Sequence, residues 1–184
     1  MFHMEQNLSN MVILALLKKE NHPRALSKEL GTNHTIIIRR LNELQEENVV
    51  DSKKEGRNKS FFIKKTAEAR NRVLISELQV LTDFVRKHPE LRSLIDRVWA
   101  NRKVSLAMIF GSYAKGLENK NSDIDLFVLT DDRRLKKELE LLDSRLNIKI
   151  GRSWDASNPL IREIQKNHVI VKGAETYYGE TGLF

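Results

Sequence analysis

Apolar residues at helical spacing dominate the first hundred positions of the chain. Such runs, with few glycines or prolines to interrupt them, are typical of amphipathic helices. The pattern predicts a first helix that Ser9 caps and that ends at 21–23, because Pro23 restricts the residue before it. It predicts further helices at 24–30, from 32 or 33 to about 47, at 66–87 and at 91–99.

Glycine and capping residues indicate where these helices end and begin, and the spacing of apolar residues indicates which positions are buried. Gly31 tolerates the left-handed turn that ends a helix, and either Thr32 or Asn33 is a suitable cap for the next one. The buried stripe of that third helix is predicted to be Ile37, Leu41 and Leu44. The stripe of the long helix at 66–87 is predicted to be Val73, Leu74, Leu78, Leu81 and Val85.

Strand-type runs follow the third helix and return after residue 100. Residues 49–50 and 61–63 flank the polar segment 52–59, which predicts a β-hairpin with a basic tip. Further along, strands are predicted at 104–110, 123–129, 147–150 and 168–171, with helices at 133–144 and 159–166. This alternation favours helices packed against a small mixed sheet. We therefore predict an α+β chain with domains at 1–65 and 101–184 and a helical connector at 66–100.

Composition narrows the function classes. The 184 residues contain no cysteine, which excludes a disulfide scaffold, a thiol nucleophile and a thiolate metal site. The apolar run 11–17 is too short to span a bilayer, and the start lacks the basic region of a secretory signal, so a soluble cytoplasmic protein without a membrane partner is expected. The net charge is +7, of which residues 1–65 carry +4 with 12 Lys/Arg against 8 Asp/Glu. This bias suggests a polyanionic partner.

The N-terminal part resembles the winged helix-turn-helix over about residues 8–65. The resemblance is carried by 25–31, 32–44 and 48–50, which give two helices joined by a tight turn and the start of a hairpin. It implies binding of double-stranded DNA, with the third helix in the major groove and the wing on phosphate. The residues implied are Asn33, His34, Ile36, Arg39 and Arg40 on the helix and Lys53, Lys54, Arg57 and Lys59 in the wing. The alternative is a protein-interaction or dimerisation module, in which Arg39 and Arg40 pair with Glu43 on a solvated face.

The C-terminal part carries the most specific motif in the chain. Ile109-Phe110-Gly111-Ser112 is followed, after ten residues, by Asp123-Ile124-Asp125-Leu126. This order resembles the polymerase-β-like nucleotidyltransferases, especially their minimal branch, over about residues 100–178. Glycine permits close approach of the backbone to a triphosphate, and a serine at a helix N-terminus lies where phosphate is attracted.

The resemblance implies Mg²⁺ and a nucleoside triphosphate as ligands. Asp123 and Asp125, two apart on a strand, are expected to face one side, where they hold the metal and serve catalysis. Gly111, Ser112 and Lys115 are expected to bind the nucleotide.

One departure from the family pattern concerns the third carboxylate. Active members supply it from the following strand, where this chain has Asn147 and Lys149. Asparagine cannot act as a general base, and lysine competes with a metal. Asp155 and Glu163 are substitutes only if the fold bends them inward. Whether the domain is an active enzyme is therefore left open.

Two functions agree with these patterns. The first is a transcriptional regulator, a homodimer, whose C-terminal domain binds a nucleotide and metal without catalysis. The second is an active Mg²⁺-dependent nucleotidyltransferase that modifies a small molecule or a protein, as antitoxins do to helical toxin partners. The missing third acid favours the first. Neither the operator, the base nor the acceptor is specified by the sequence.

Overall fold

The computed structural model describes residues 2–56, 58–132 and 134–184. The chain divides into two compact units, one ending at Gln79 and one spanning Val80–Leu183. Both combine helices with a small sheet, so the predicted α+β class is confirmed. Within the described residues, no helix has the length and apolar character needed to cross a bilayer.

The first unit consists of three helices, a hairpin and the start of a long helix. Its elements are α1 (Phe2–Lys18), α2 (Pro23–Glu29), α3 (His34–Glu46), β1 (Val50–Glu55), β2 (Asn58–Ile63) and the first part of α4 (Ala67–Lys87). The predicted stripe of α3 is buried: Ile37 and Leu41 are 0% exposed and Leu44 is 1% exposed. Val12, Ile13 and Leu26 are likewise fully buried, so the apolar sides of the three helices form this core.

The hairpin pairs β1 and β2 in antiparallel register, from Val50 opposite Ile63 to Glu55 opposite Asn58. Asn21, between α1 and α2, adds a single antiparallel bridge to Phe61. Two backbone hydrogen bonds of 3.2 and 2.9 Å make that bridge. The segment between the first two helices is therefore tied to the sheet edge.

Two sequence predictions for this unit are wrong. Ser9 does not cap α1, which begins at Phe2; nothing in residues 2–8 breaks a helix, and Ser9 lies buried in its middle. The neighbouring Asn10 is also buried, and its side chain accepts a hydrogen bond from Ser76 of α4. Leu78 does not belong to a buried stripe, because it is 52% exposed.

The second unit is built around a four-stranded mixed sheet. Its elements are the rest of α4, α5 (Arg92–Ala100), β3 (Leu106–Phe110), α6 (Gly111–Lys115), β4 (Ile124–Leu129), α7 (Leu135–Glu140), β5 (Leu146–Gly151), α8 (Pro159–Lys166), β6 (Val169–Lys172) and α9 (Ala174–Glu180). The strand order is β5-β4-β3-β6. β4 and β5 are parallel, whereas β3 is antiparallel to both of its neighbours.

Both faces of the sheet are covered. One face, with Ile109, Leu126 and Ile148, contributes to the main core together with α5 and α7. On the other face Phe127 packs against Trp154, whose ring also meets Tyr177 of α9, with centroids 6.0 and 5.3 Å apart. Asp125 lies two residues before Phe127 on β4, so the strand alternation places it on this second face.

The structure corrects two helices here. The helix predicted at 133–144 is limited to Leu135–Glu140, because Asp143 forms a turn in which its carboxylate accepts the backbone N–H of Arg145. The helix α9 was not predicted. It begins after Gly173, whose φ is +83° and whose missing Cβ would lie 2.0 Å from the carbonyl oxygen of Ser105.

Candidate functional site

The turn at Gly111 joins β3 directly to α6. Gly111 has a φ of +70°, and a Cβ there would lie 2.2 Å from Oδ2 of Asp125. Glycine is therefore required for two physical reasons, the left-handed backbone and the close packing of the Asp125 carboxylate. The sequence indicated a close approach by a ligand at this position; the structure shows a close approach by a side chain of the chain itself.

The Asp125 carboxylate is fixed on its other side by Asn147. The two residues are paired across the parallel strands β4 and β5. Nδ2 of Asn147 donates a hydrogen bond of 2.7 Å to Oδ1 of Asp125. Asp125 is half-buried, whereas Asp123 is exposed and lies one residue before β4 begins.

Strand β5, next to Asp125, thus carries the amide of Asn147 at the position where active members of the family have a third carboxylate. Lys149 lies two residues beyond Asn147 on the same side of β5 and is exposed. Among the described residues, no group of three or more His, Asp or Glu side chains is arranged to hold a metal ion. The carboxylates of Asp123 and Asp125 are nevertheless hard donors of the kind that Mg²⁺ takes, and Mg²⁺ usually leaves its remaining positions to water and phosphate. This donor set fits one Mg²⁺ ion and not a pair.

The two acids considered as substitutes have other partners. The Asp155 carboxylate accepts hydrogen bonds from the hydroxyl and the backbone N–H of Ser157, which hold the pKa of Asp155 below its usual range. Glu163 on α8 is 3.1 Å from the ammonium group of Lys115 and 3.4 Å from that of Lys166. The contact with Lys115 is the main reason that the pKa of Glu163 is lowered.

The predicted nucleotide-binding residues sit on the short helix α6. Ser112 is its second residue and is half-buried, and Lys115 is its last residue before Gly116, which ends the helix with a φ of +67°. Lys115 pairs with Glu163, so a phosphate at this ammonium group would compete with that carboxylate.

The loop from α6 to β4 is anchored by a cluster that the sequence did not indicate. Glu118 is 14% exposed and accepts a hydrogen bond of 2.6 Å from Lys87, which lowers the pKa of Glu118. The buried ring of His88 lies 3.6 Å from the same carboxylate and packs between Phe84 and Tyr113. No motif joins residues 87–88 with 118, so only the fold could reveal this contact.

In the first unit, α3 presents a mixed face to solvent. Asn33 caps the helix, its side chain accepting the N–H of Thr35 at 2.8 Å, and His34 is half-buried. Ile36 is 40% exposed, and the Arg39 side chain is 59% exposed with its Nε 3.7 Å from Glu43.

Arg40 differs from Arg39 in its surroundings. It is only 7% exposed, and its guanidinium group donates a hydrogen bond to Glu43. Both arginines therefore contact Glu43, but only Arg39 is open to a partner in this arrangement.

The hairpin places lysines close together. Lys54 and Lys59 are exposed and face each other in the β1–β2 register. Lys53 forms an ion pair with Glu20. Arg57, which was predicted to contact phosphate, lies outside the described residues.

Residues 93–178, which contain all of the Gly111–Asp125–Asn147 geometry, match the family described as Polymerase beta, Nucleotidyltransferase. The second unit therefore contains a nucleotidyltransferase-like domain. The match begins inside α5, eight residues before the domain start predicted from the sequence at residue 101. Among curated proteins, none matches the chain.

Two solved structures show a weak likeness to this chain. One is the adhesin competence repressor AdcR from Streptococcus pyogenes, with 16% identity over 52% of this chain and 79% of that chain and a TM-score of 0.35. The other is a toxin-antitoxin with AMP-PNP, with 26% identity over 51% of this chain and 74% of that chain and a TM-score of 0.34. Both scores are too low to support a conclusion about this chain.

Proposed function

We propose that the protein is a DNA-binding transcriptional regulator whose nucleotidyltransferase-like domain binds a nucleoside triphosphate with one Mg²⁺ ion. The observation that carries the nucleotide half is the pairing of Asp125 with Asn147 beside Gly111. The pairing fixes a carboxylate next to a glycine turn. The site lacks the further acid that a second metal ion and a general base require.

Asp123 and Asp125 would hold the cation, with the Asn147 amide orienting the Asp125 carboxylate. Ser112 and Lys115 would contact phosphate. Bound Mg²⁺ would supply neutralisation of the triphosphate charge. Lys149, exposed on the same side of β5, would add a second positive charge near the phosphates.

Titration calorimetry with ATP and Mg²⁺ tests this half of the proposal. We expect binding by the wild-type protein and its loss in the double variant Asp123→Asn, Asp125→Asn. Asp96→Asn removes an exposed carboxylate from α5 and is the matched control, expected to bind as the wild type does. Absence of heat with any nucleoside triphosphate would remove the nucleotide from the proposal.

The DNA half rests on the solvent face of α3 together with the lysines of the hairpin. If this unit binds DNA as a winged helix-turn-helix does, base edges are contacted from α3 by Asn33, His34, Ile36 and Arg39. Phosphates are contacted from the hairpin by Lys53, Lys54, Arg57 and Lys59. Arg40 joins them only after leaving Glu43, so its replacement is expected to reduce stability as well as affinity. The proposed assembly is a homodimer, which doubles the length of the site that is read.

A mobility-shift assay on a selected duplex tests the DNA half. Arg39→Ala is expected to cost ~1–3 kcal/mol and to relax preference at one base, whereas Lys54→Ala is expected to weaken all sequences alike and to lower the salt dependence. Arg70→Ala removes one positive charge from the exposed start of α4 and serves as the control. Equal affinities for Arg39→Ala and the wild type would contradict the assignment of α3.

The alternative is an active nucleotidyltransferase that modifies a helical toxin or a small molecule. The presence of Gly111, Asp123 and Asp125 in their expected order favours it. Incubation with α-labelled nucleoside triphosphates, Mg²⁺ or Mn²⁺ and cell lysate distinguishes the two. Label transferred to an acceptor by the wild type, and not by the double aspartate variant, would establish the enzyme.

A further inference from the structure

We infer that Asn147 is a positioning residue that holds the Asp125 carboxylate in one orientation and limits this site to a single divalent cation. The inference rests on the nucleotide half of the proposed function. It assigns to Asn147 a role that neither its exposure nor its residue type alone would suggest.

The Asp125 carboxylate is restrained on two sides. One carboxylate oxygen accepts the Asn147 amide at 2.7 Å, and the other lies so close to Gly111 that a Cβ would come within 2.2 Å of it. Parallel pairing sets Asp125 and Asn147 at the same level of neighbouring strands. The side chain is therefore confined between Asn147 of β5 and the Gly111 turn at the start of α6, which is the arrangement that preorganises a ligand.

The amide of Asn147 is also uncharged, which lowers the negative charge of the site. A carboxylate in place of the Asn147 amide would put two negative groups within hydrogen-bond distance, and such a pair is stable only when a cation or a shared proton lies between them. With the neutral amide of Asn147 no cation or shared proton is required, and the hydrogen bond to Asp125 is kept. Lys149, two residues along the same side of β5, adds a positive charge that further disfavours a second cation.

Counting bound Mn²⁺ by electron paramagnetic resonance, with a non-hydrolysable triphosphate analogue present, tests the inference. The wild type is expected to bind one ion. Asn147→Asp is expected to bind two. Asn147→Leu keeps the approximate volume without the amide, and it is expected to bind one ion roughly ten-fold more weakly, since a hydrogen bond to a charged group is lost.

Thermal melting without nucleotide gives an independent readout. Asn147→Asp is expected to melt below the wild type in chelator and to recover when Mg²⁺ is added, because the cation relieves the repulsion. Asn167→Asp, an exposed asparagine after α8, is the control and is expected to show no such recovery.

The outcomes separate the two proposals. If Asn147→Leu binds Mn²⁺ as tightly as the wild type, or Asn147→Asp binds only one ion and gains nothing from Mg²⁺, the inference is overturned. If the wild type binds no ion while Asn147→Asp binds one, the proposed nucleotide function fails and so does the inference that the site with Asn147 holds one cation. If no variant binds an ion, both proposals fail.

Discussion

At the scale of single residues, Asn33 caps helix α3 and is also predicted to contact a base. Its oxygen accepts the N–H of Thr35 and so satisfies a free donor at the start of α3. The same residue was predicted to contact a base edge, for which the amide group as a whole is needed. The cap occupies the oxygen and leaves only the NH₂ group to a partner, so a bidentate contact with adenine would have to break the cap.

Replacing Asn33 by Ala is expected to lower the free energy of unfolding by about 1 kcal/mol, because the cap is lost. Replacement by Ser is expected to keep most of that stability, since serine caps equally well. Urea denaturation measures the stability of both variants, and a mobility-shift assay measures their affinity for DNA. If Asn33→Ser retains both stability and DNA affinity, Asn33 acts only as a cap and has no part in base recognition.

Lys115 is the second residue whose role depends on its partner. The ion pair with Glu163 must open before its ammonium group can contact phosphate, and exposed pairs of this kind are weak. Glu163→Gln is therefore expected to raise ATP affinity modestly, by up to roughly five-fold, as measured by calorimetry. Glu175→Gln, on the exposed side of α9, is the control. Lower affinity in Glu163→Gln would indicate that Glu163 belongs to the site rather than competing with it.

At the scale of elements, the turn that precedes β5 contains an ion pair between Asp143 and Arg145. Arg145 donates to Asp143 through Nη2 at 2.6 Å and also reaches the hydroxyl of Tyr113 at 3.3 Å. The hydrogen bond from Arg145 lowers the pKa of Asp143 below its usual range. A carboxyl whose pKa is lowered by folding stabilises the protein above its unfolded pKa of about 3.9, and that contribution is lost as pH falls through the folded value.

Asp143→Asn is therefore expected to reduce the free energy of unfolding by about 1 kcal/mol at pH 7, with a smaller difference from the wild type below about pH 4. Urea denaturation at the two pH values measures this. Asp96→Asn is the control, an exposed carboxylate on α5 that is expected to have little effect at either pH. A difference that stays constant with pH would show that the effect of Asp143→Asn comes from the turn and not from its charge.

The elements also show what the sequence determines locally. Helix α8 was predicted with its observed bounds, because Asn158 caps it and Pro159 begins it. Helix α9 was missed because its start depends on the approach of Gly173 to the backbone of Ser105, which is distant in the sequence. The same limit applies to the site: the motif identified Gly111 and Asp125, but the hydrogen bond from Asn147 depends on strand register, which no local pattern gives.

At the scale of the whole molecule, the two units carry different chemistry. The first offers a helix face and a lysine-bearing hairpin, and the second offers the restrained carboxylate site. The exposed apolar side chains Ile75 and Leu78 lie three residues apart on α4, on one helical face of the first unit. In the proposed regulator, one copy of α3 reads only a short sequence, so a second copy of the chain on this face would provide a second α3 for a second half-site of the DNA.

The homodimer is the prediction that belongs to this scale. Burying a large aliphatic side chain contributes roughly 1.5–3 kcal/mol, so placing two glutamates on the face should remove the driving force. Ile75→Glu with Leu78→Glu is expected to shift the protein to a monomer in sedimentation and to reduce its affinity for a duplex with two half-sites, while leaving nucleotide binding unchanged. Arg70→Glu changes the charge at an exposed position of α4 that the helical step of about 100° per residue places away from the Ile75 and Leu78 face, and it is expected to remain dimeric. A wild-type protein that sediments as a monomer at micromolar concentration, with and without DNA, would contradict the dimer, and DNA binding would then have to rest on one copy of α3 and its hairpin.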